Sequence, residues 1–563
     1  MSQSVNPYLV LDDRLNVHSE IHFGVLKGPQ SQNQQIFTAQ TKTNNNISVN
    51  CLIPSLSTLI DKRVLLRTQM TIQVAGTVAD GKYLIEEDLS NFCLGNFPVS
   101  HAINTASVSI NNTVVNGNYN DQLDTILRQI SRKELAAYHD LSPVDRDFYQ
   151  LLANTGSLSQ FKGVNEAVDK DVLPRGAWVL DSISGNTVGA ANANDKKVLI
   201  TFTTTEPIFI SPFEFQESPA SALSGISTIN FNFNLNSSIA RSVRYWNKEG
   251  ATNTSFTVSA VPKADILMTF LSAPPSVMIP LTNIQPYWEL PVFKTTVSFT
   301  GVAKYNSFSY QSSLISPNCI PDKVFISLRK STPLATDSDF LFPIGNVNIT
   351  WGTQSGILAS ASVQDLYYMS KKAGLQLTWN EFIGVAREGA DNVPLVGGMI
   401  ALDFGSTLAI LEDYYAPSSL GSFTFQVSGT AYNNDDANDN TCELLVSFLN
   451  SGLFSSTSGT SQQYIGILDK STVLSTSQTD PITMTEHHRL LGGGWLSKLK
   501  SALPTIKTVA NALAPAAKKY LSGKDGAVAN LATKALGMAG YGMSAGAMSA
   551  GAITGGRHPR VRS

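Results

Sequence analysis

The sequence predicts an all-β body with a few short helices, followed by a basic tail of different composition. Between about residues 20 and 485, short runs alternate apolar with polar residues and are rich in β-branched and aromatic side chains. Clusters of Asn, Gly, Ser, Pro and Asp separate these runs, whereas helical periodicity is rare. An eight-stranded β-sandwich needs about 150 to 200 residues, so this 563-residue chain has room for two.

The strand pattern is clearest in five segments, and two segments carry helical signals. Ser107–Val115 is expected to be one buried strand that leads into a helix over Asp121–His139. A second helix is expected over Ser362–Gly374, because Ser opens it and Gly closes it. The five strand segments are Val64–Val74, Ser107–Val115, Val198–Thr204, Ile226–Leu235 and Phe423–Val427.

The predicted division of the chain has four parts. The proline-rich stretch Ala273–Val292 marks a junction, after which strand patterning restarts. We therefore expect an N-terminal arm over residues 1–35, a first sandwich with insertions over 36–272, a second sandwich over 273–489 and a tail over 490–563.

Composition favours a protein that packs against copies of itself. Charged residues make up 15% of the chain, and Ser, Thr, Asn and Gln fill their place, so that few charges need to be desolvated at a contact. The four cysteines are far apart and are expected to be buried free thiols. No signal peptide is visible in the sequence, so the chain is expected to be made inside a host cell and not secreted.

The tail differs from the body in charge and pattern. From His487 onward it carries seven Lys and four Arg against one acid, which gives +10; the chain total of −3 leaves −13 for the rest. Apolar residues recur at helical spacing after Trp495, with lysines between them and prolines at 504 and 515 that would divide the helix. Basic residues then end the chain. The residues expected to contact a membrane or a genome are Trp495, Leu496, Lys498, Leu499, Lys500, Leu503, Ile506, Lys507, Lys518, Lys519, Arg557, Arg560 and Arg562.

Four long segments resemble major capsid proteins of the adenovirus-hexon lineage, particularly those of Polinton-like viruses, adintoviruses and virophages. They are Asn46–Ile72 (NISVNCLIPSLSTLIDKRVLLRTQMTI), Asn96–Leu127, Asp322–Gly374 and Gly397–Val427. This resemblance implies that both sandwiches are eight-stranded jelly rolls and that three chains form a pseudo-hexameric capsomer of an icosahedral DNA virus. The implied partners are further copies of the chain together with penton and minor capsid proteins.

Three glycine motifs in the tail resemble the cleavage sites of adenovirus-type maturation proteases. They are LLGGG at 490–494, MAGYG at 538–542 and ITGGR at 553–557, and glycine lets an extended backbone enter a narrow protease groove. A viral maturation protease is thus an expected partner. The candidate cleavage residues are Gly493, Gly494, Tyr541, Gly542, Gly556 and Arg557. The alternative is an uncut internal arm.

The sequence shows no convincing catalytic or metal-binding pattern. His18 and His22 lack a helical context, and the one G-x-S-x-G match, at 542–546, lies in the glycine-rich tail without a preceding strand. We therefore expect a non-enzymatic virion protein without a cofactor or metal. Two alternatives stay open: a single jelly-roll coat or penton protein with a projecting domain, and a carbohydrate-binding adhesive β-sandwich protein.

Overall fold

The structure is a computed structural model that describes most of residues 28–466. The positions outside the description within that range are 87–90, 140, 145–178, 188–193, 215–221, 246, 248–249, 336, 338–340, 389–390, 406, 409–418 and 436. Residues 1–27 and 467–563, which include the predicted tail 490–563, therefore lie outside the described residues.

The first structural unit contains thirteen of the described strands and three α-helices. The strands are β1 Ser31–Thr38, β2 Thr41–Lys42, β3 Asn46–Leu52, β4 Leu59–Ile60, β5 Leu65–Val78, β6 Phe92–Leu94, β7 Ile103–Ile110, β8 Thr113–Gly117, β9 Val179–Ser184, β10 Asn194–Pro207, β11 Thr228–Leu235, β12 Val243–Tyr245 and β13 Thr252–Ser272. The helices are α1 Pro98–Ala102, α2 Tyr119–Leu127 and α3 Arg132–Leu135, and a 3₁₀ turn follows at Ala136–Tyr138.

The second unit contains twelve of the described strands and two α-helices. The strands are β14 Thr282–Glu289, β15 Val292–Phe299, β16 Ser307–Gln311, β17 Lys323–Lys330, β18 Ile344–Trp351, β19 Gln354–Ile357, β20 Ile383–Glu388, β21 Asp391–Val396, β22 Ile400–Asp403, β23 Phe425–Tyr432, β24 Asn440–Thr457 and β25 Thr460–Ile465. The helices are α4 Val363–Lys372 and α5 Trp379–Phe382.

Both units have the strand order of a jelly roll. In the first, the eight main strands in chain order are β1, β3, β5, β7, β8, β10, β11 and β13; in the second they are β15, β16, β17, β18, β19, β22, β23 and β24. We number the eight main strands of each unit from 1 to 8 in chain order. In each unit, strands 1, 8, 3 and 6 then form one sheet in that order, and strands 2, 7, 4 and 5 form the other. All of these pairings are antiparallel, and the prediction of two jelly rolls in tandem is confirmed.

Alternating burial explains why these segments form sandwiches. Along β5, every second side chain is buried, among them Leu66, Met70, Ile72 and Val74. The buried residues face the opposite sheet of the same roll, where β11 contributes Phe231 and other apolar side chains. The buried apolar residues of both rolls form one continuous cluster.

The segment predicted as a single strand over Ser107–Val115 is a hairpin. Strand β7 ends at Ile110, Asn111 and Asn112 form the turn, and β8 begins at Thr113. Asn111 has a φ of 52°, a left-handed conformation that Asn tolerates better than most residues. The second roll repeats this hairpin between β18 and β19, with Gly352 at a φ of 58°. The prediction was wrong because alternation continues across so short a turn.

The helix predicted over Asp121–His139 is divided, whereas that over Ser362–Gly374 is confirmed as α4. Helix α2 ends at Leu127, and Ser131 begins α3 through a capping box in which its side chain and that of Glu134 bond each other's backbone N–H groups. A residue that caps a new helix competes with continuation of the old one. Ser362 caps α4 in the same way with Asp365.

The start of β1 and the state of the cysteines bear on two further expectations. Strand β1 begins at Ser31, so residues 31–35 belong to the first roll and not to the arm predicted over 1–35. All four cysteines are buried and free, as expected. Within the described residues, no helix has the length and hydropathy that a membrane span requires.

The buried face of β7 gives the first prediction. Val108 and Ile110 are fully buried, whereas Ser107 lies on the outer face of the same strand. Changing Val108 or Ile110 to Asp should lower the free energy of unfolding by about 3 kcal/mol or more, because an unpaired carboxylate would be buried. Ser107→Asp is the matched control and should cost about 1 kcal/mol or less. Urea denaturation measures both, and equal losses would contradict the assigned orientation of β7.

Candidate assembly surfaces

All the functional residues predicted from the sequence lie in the tail. The candidate cleavage residues, from Gly493 to Arg557, and the candidate membrane- or genome-contacting residues, from Trp495 to Arg562, are outside the described residues. Their predicted roles therefore remain predictions. A similar glycine motif in the body, Gly397-Gly398, lies inside the fold, where both backbone N–H groups donate to the Phe382 carbonyl.

The described part of the chain offers little for catalysis. It contains no group of three or more His, Cys, Asp or Glu side chains placed to hold a metal ion. Burial raises the pKa of Asp322 to about 7, although the backbone N–H of Ser451 donates to its carboxylate at 2.8 Å. Such a pKa suits general acid–base work, but Asp322 is fully buried between β17 and β24. Its pKa is therefore explained by burial in the sheet.

A buried ion cluster joins the two rolls. Arg329 on β17 of the second roll pairs with Asp121 on α2 of the first roll, and also with Glu443 on β24 at 2.7 Å. Lys294 on β15 lies 3.6 Å from Asp121 and 3.4 Å from Glu443. The guanidinium of Arg329 further donates to the Asn120 carbonyl at 2.8 Å. The cluster thus binds one helix of the first roll to three strands of the second.

Asp121 is held in its charged form. Burial alone would raise the pKa of Asp121, but the nearby Arg329 and Lys294 outweigh it and keep that pKa below its usual range. The side chains of Arg329 and Asp121 are only 4% and 6% exposed, so each charge depends on the other for compensation. Beside Arg329 lies a small, partly open pocket of about 30 Å³, which Asp124 and Arg241 also line. This arrangement is suited to fixing the relative orientation of α2 and the three strands.

The short helices of the two rolls also meet at this joint. The backbone N–H of Gln376, between α4 and α5, donates to the carbonyl of Arg128 at the end of α2. Arg132 on α3 pairs with Glu381 on α5 at 2.6 Å. Helices α3 and α5 both begin with capping boxes, so their entry geometry is fixed locally.

A second contact between the rolls is made of uncharged groups. The turn of the β7–β8 hairpin packs against β25, where the N–H of Ser461 donates to Asn112 Oδ1 at 2.8 Å. The Thr113 hydroxyl donates to the Ser461 carbonyl at 2.6 Å, and the Ser461 hydroxyl donates to the Ile110 carbonyl at 2.5 Å. Together with the ion cluster, this contact joins the two rolls at two separate places.

The outward positions described for the main strands of the 2-7-4-5 sheet carry no charged side chain in either roll. On the first roll, Asn46 Nδ2 donates to Asn232 Oδ1 at 2.6 Å and to Asn234 Oδ1 at 3.0 Å, which links β3 to β11 through side chains. The outward positions of the main described strands there are Asn46, Ser48, Asn50, Leu52, Thr105, Ser107, Ser109, Val114, Asn116, Asn230, Asn232 and Asn234. On the second roll they are Ser307, Ser309, Gln311, Asn346, Asn348, Thr350, Gln426, Ser428, Thr430 and Tyr432.

Two complete jelly rolls joined in one chain define the class of double jelly-roll capsid proteins. The family model for the first domain of the Sputnik virophage major capsid protein matches residues 4–271, and that for the C-terminal domain of the major capsid protein V20 matches residues 290–452. The capsid protein V20 of Sputnik virophage is 26% identical over 541 residues, which cover 90% of this chain and 87% of that protein.

Two solved virus structures share the fold. The cryo-EM structure of the Sputnik virophage contains a chain that is 22% identical, with a TM-score of 0.73 over 87% of this chain and 100% of that one. The crystal structure of the mavirus major capsid protein is 16% identical, with a TM-score of 0.67 over 85% of this chain and 100% of that one. This chain belongs to the family of virophage major capsid proteins, whose members build icosahedral capsids.

The ion cluster gives the second prediction. Arg329→Met should lower the free energy of unfolding at pH 7 by about 3 to 5 kcal/mol, because Asp121 would keep a buried charge without its main partner. The contribution of Asp121 is present above its unfolded pKa, near 4, and is lost as the pH falls through its lowered folded pKa. The deficit of the variant should therefore shrink towards pH 3.

The control for this prediction is Arg132→Met, which removes the more exposed ion pair with Glu381. Its Arg side chain is 54% exposed, so the loss should be about 1 kcal/mol or less. Urea denaturation between pH 3 and pH 7 measures both variants. A deficit in Arg329→Met that does not change with pH would show that its ionic partner is not what stabilises the joint.

Proposed function

We propose that three copies of this chain form a pseudo-hexameric capsomer and that these capsomers, with penton and minor capsid proteins, tile an icosahedral virion shell. The observation that carries the proposal is the joining of two rolls of the same strand order through the ion cluster and the contact at Asn112. Three such chains supply six equivalent rolls, which is the number that a hexagonal outline requires. The uncharged sheet faces support it, because they can be buried at contacts without desolvating charge.

The two alternative classes of protein that the sequence left open have less support than a double jelly-roll capsid protein. A single jelly roll with a projecting domain is wrong, because both units are complete jelly rolls. An adhesive carbohydrate-binding sandwich has no support from the family to which the chain belongs. The proposed role is structural, and the site of action is the virion.

The trimer gives the third prediction. The full-length chain, expressed in solution, should run as a trimer in size-exclusion chromatography with light scattering. Negative-stain images should show particles of hexagonal outline. A monomer that persists up to the highest soluble concentration would contradict the proposed capsomer.

We further propose that the tail is an internal basic segment that a maturation protease cuts at its glycine motifs. Cleavage between Gly493 and Gly494 and at Tyr541–Gly542 would release a peptide with an apolar helical stripe and several lysines. Such a peptide should bind anionic vesicles, because apolar insertion adds to about 1 kcal/mol for each basic residue near the surface. Before cleavage, the net charge of +10 favours contact with a genome inside the shell, in a salt-dependent manner.

The mass of the mature protein tests the cleavage proposal. Intact-mass spectrometry of purified virions should find a capsid protein that ends near Gly493. The capsid protein of the variant Gly493→Val should instead end near Tyr541, because its side chain blocks the narrow protease groove at the first motif while the motif at 538–542 is still cut. The matched control is Gly523→Val, which lies in the tail outside the three motifs. A single species that retains Ser563 in virions would rule out processing and leave an uncut internal arm.

A further inference from the structure

Helices α2 and α4 occupy the same place in the two rolls. Each helix follows the fifth main strand of its roll, which is β8 for α2 and β19 for α4. A short helix that begins with a capping box, α3 or α5, comes next in each roll. The N-cap residues are Asn118 in α2 and Ser362 in α4. Counted from these caps, the third helical residue is aspartate in both, Asp121 and Asp365. The two rolls thus present the same acidic first turn.

The surroundings of the two helices differ. Helix α2 is covered on both sides, by its own roll and by the second roll, which buries Asp121. Helix α4 is covered on one side only: Leu366 and Ser370 are buried, and the Ser370 hydroxyl accepts the N–H of Ala401 on β22. On its other side Asp365 is exposed, and the Tyr368 side chain is 71% exposed. One helix therefore makes a contact that its counterpart lacks.

The surface of the second roll that contacts α2 has a counterpart on the first roll. On the second roll, the outer face of the 1-8-3-6 sheet carries two cations and one acid, Lys294, Arg329 and Glu443, and it binds Asp121. On the first roll, the outer face of the same sheet carries Arg67 on β5 with Lys263 and Asp265 on β13.

Arg67, Lys263 and Asp265 are arranged like the triad of the second roll, but no helix covers them in the described part of the chain. The Asp265 carboxylate lies 2.7 Å from Arg67 and 3.5 Å from Lys263. Arg67 and Asp265 are direct partners across the third and eighth main strands, as Arg329 and Glu443 are in the other roll. The Arg67 and Lys263 side chains remain 32% and 56% exposed. One acid facing two cations leaves a positive excess that a further carboxylate can neutralise.

We propose that helix α4 of one copy docks on the outer face of the first roll's 1-8-3-6 sheet in a neighbouring copy, with Asp365 facing Lys263 and Arg67. The contact rests on the proposed capsomer and assigns it a surface. It repeats between chains what α2 and the second roll do within a chain. The occupant is a second copy because α4 is already seated on β22 of its own roll and presents the complementary charge.

The symmetry of this contact explains how three chains can close into a ring. It is heterologous, since one patch of a copy meets a different patch of the next, and such contacts form a ring when the rotation closes. Six equivalent rolls close when each step between rolls turns by about 60°, and two rolls per chain then give three chains. Charge reversal at the rim of such a contact is expected to weaken association while leaving each subunit folded.

The experiment is a dilution series of the full-length chain, followed by mass photometry, with reciprocal charge reversals. Lys263→Glu and Asp365→Lys should each raise the concentration at which trimers dissociate by about 10-fold or more, and the double variant should return to within about 3-fold of the original. Tyr368→Ala should also weaken the trimer and does not disturb the cap of α4. Asp80→Lys, in the exposed turn after β5, is the matched control and should behave as the original chain.

The outcomes separate this contact from the capsomer itself. An original chain that never forms trimers overturns the proposed capsomer and the contact with it. Trimers that dissociate alike in every variant overturn the contact and leave the capsomer standing. A double variant no more stable than the weaker single variant shows that residues 263 and 365 do not face each other, and it overturns the docking geometry. Restored association in the double variant supports it.

Discussion

The buried ion cluster around Arg329 sets the relative position of the two rolls. An ion pair in the interior gains little net stability, because removing both charges from water costs about as much as their attraction returns. Its value lies in geometry: the bond to Asp121 is satisfied only when α2 lies across β15, β17 and β24 in one orientation. A purely apolar joint between two sheets would tolerate sliding. The direction in which each roll presents its outer surfaces therefore depends on this cluster.

Because the two rolls are held in one orientation, the outer faces of their 1-8-3-6 and 2-7-4-5 sheets have different roles. The outer face of the second roll's 1-8-3-6 sheet is covered by helices, so β17 is buried on both sides. The outer faces of the 2-7-4-5 sheets carry Asn, Ser, Thr and Gln without charge. Such faces stay soluble through hydrogen bonds to water, and they can exchange these bonds for others at a contact without the cost of stripping an ion. A shell protein needs surfaces of this kind, because it must be soluble before assembly and buried after it.

The duplicated roll also links folding to assembly. The chain forms one helix-on-sheet contact internally, through α2, and leaves open the parts of a second, on α4 and on the first roll. In the proposed contact between copies, the same geometry recurs, so that the angle between rolls is encoded once. Errors in that angle would accumulate around a ring, so a joint with two separate points of contact, the ion cluster and the turn at Asn112, is advantageous.

The sequence alone determined the fold class, the tandem arrangement and the family resemblance, because period-two alternation and turn residues are local signals. It also located α4, whose Ser362 cap is a local signal, and the separate character of the tail. It did not locate the Asn111 turn, since the alternation runs through it, nor the break after Leu127. The sequence also did not predict that Asp121 and Arg329 join the two rolls. Arg329 lies near the end of the segment KVFISLRK, beside Lys330, and its partner Asp121 is 208 residues away. Only the tertiary structure could pair them, because the pairing is set by how two rolls pack and not by any neighbouring residue.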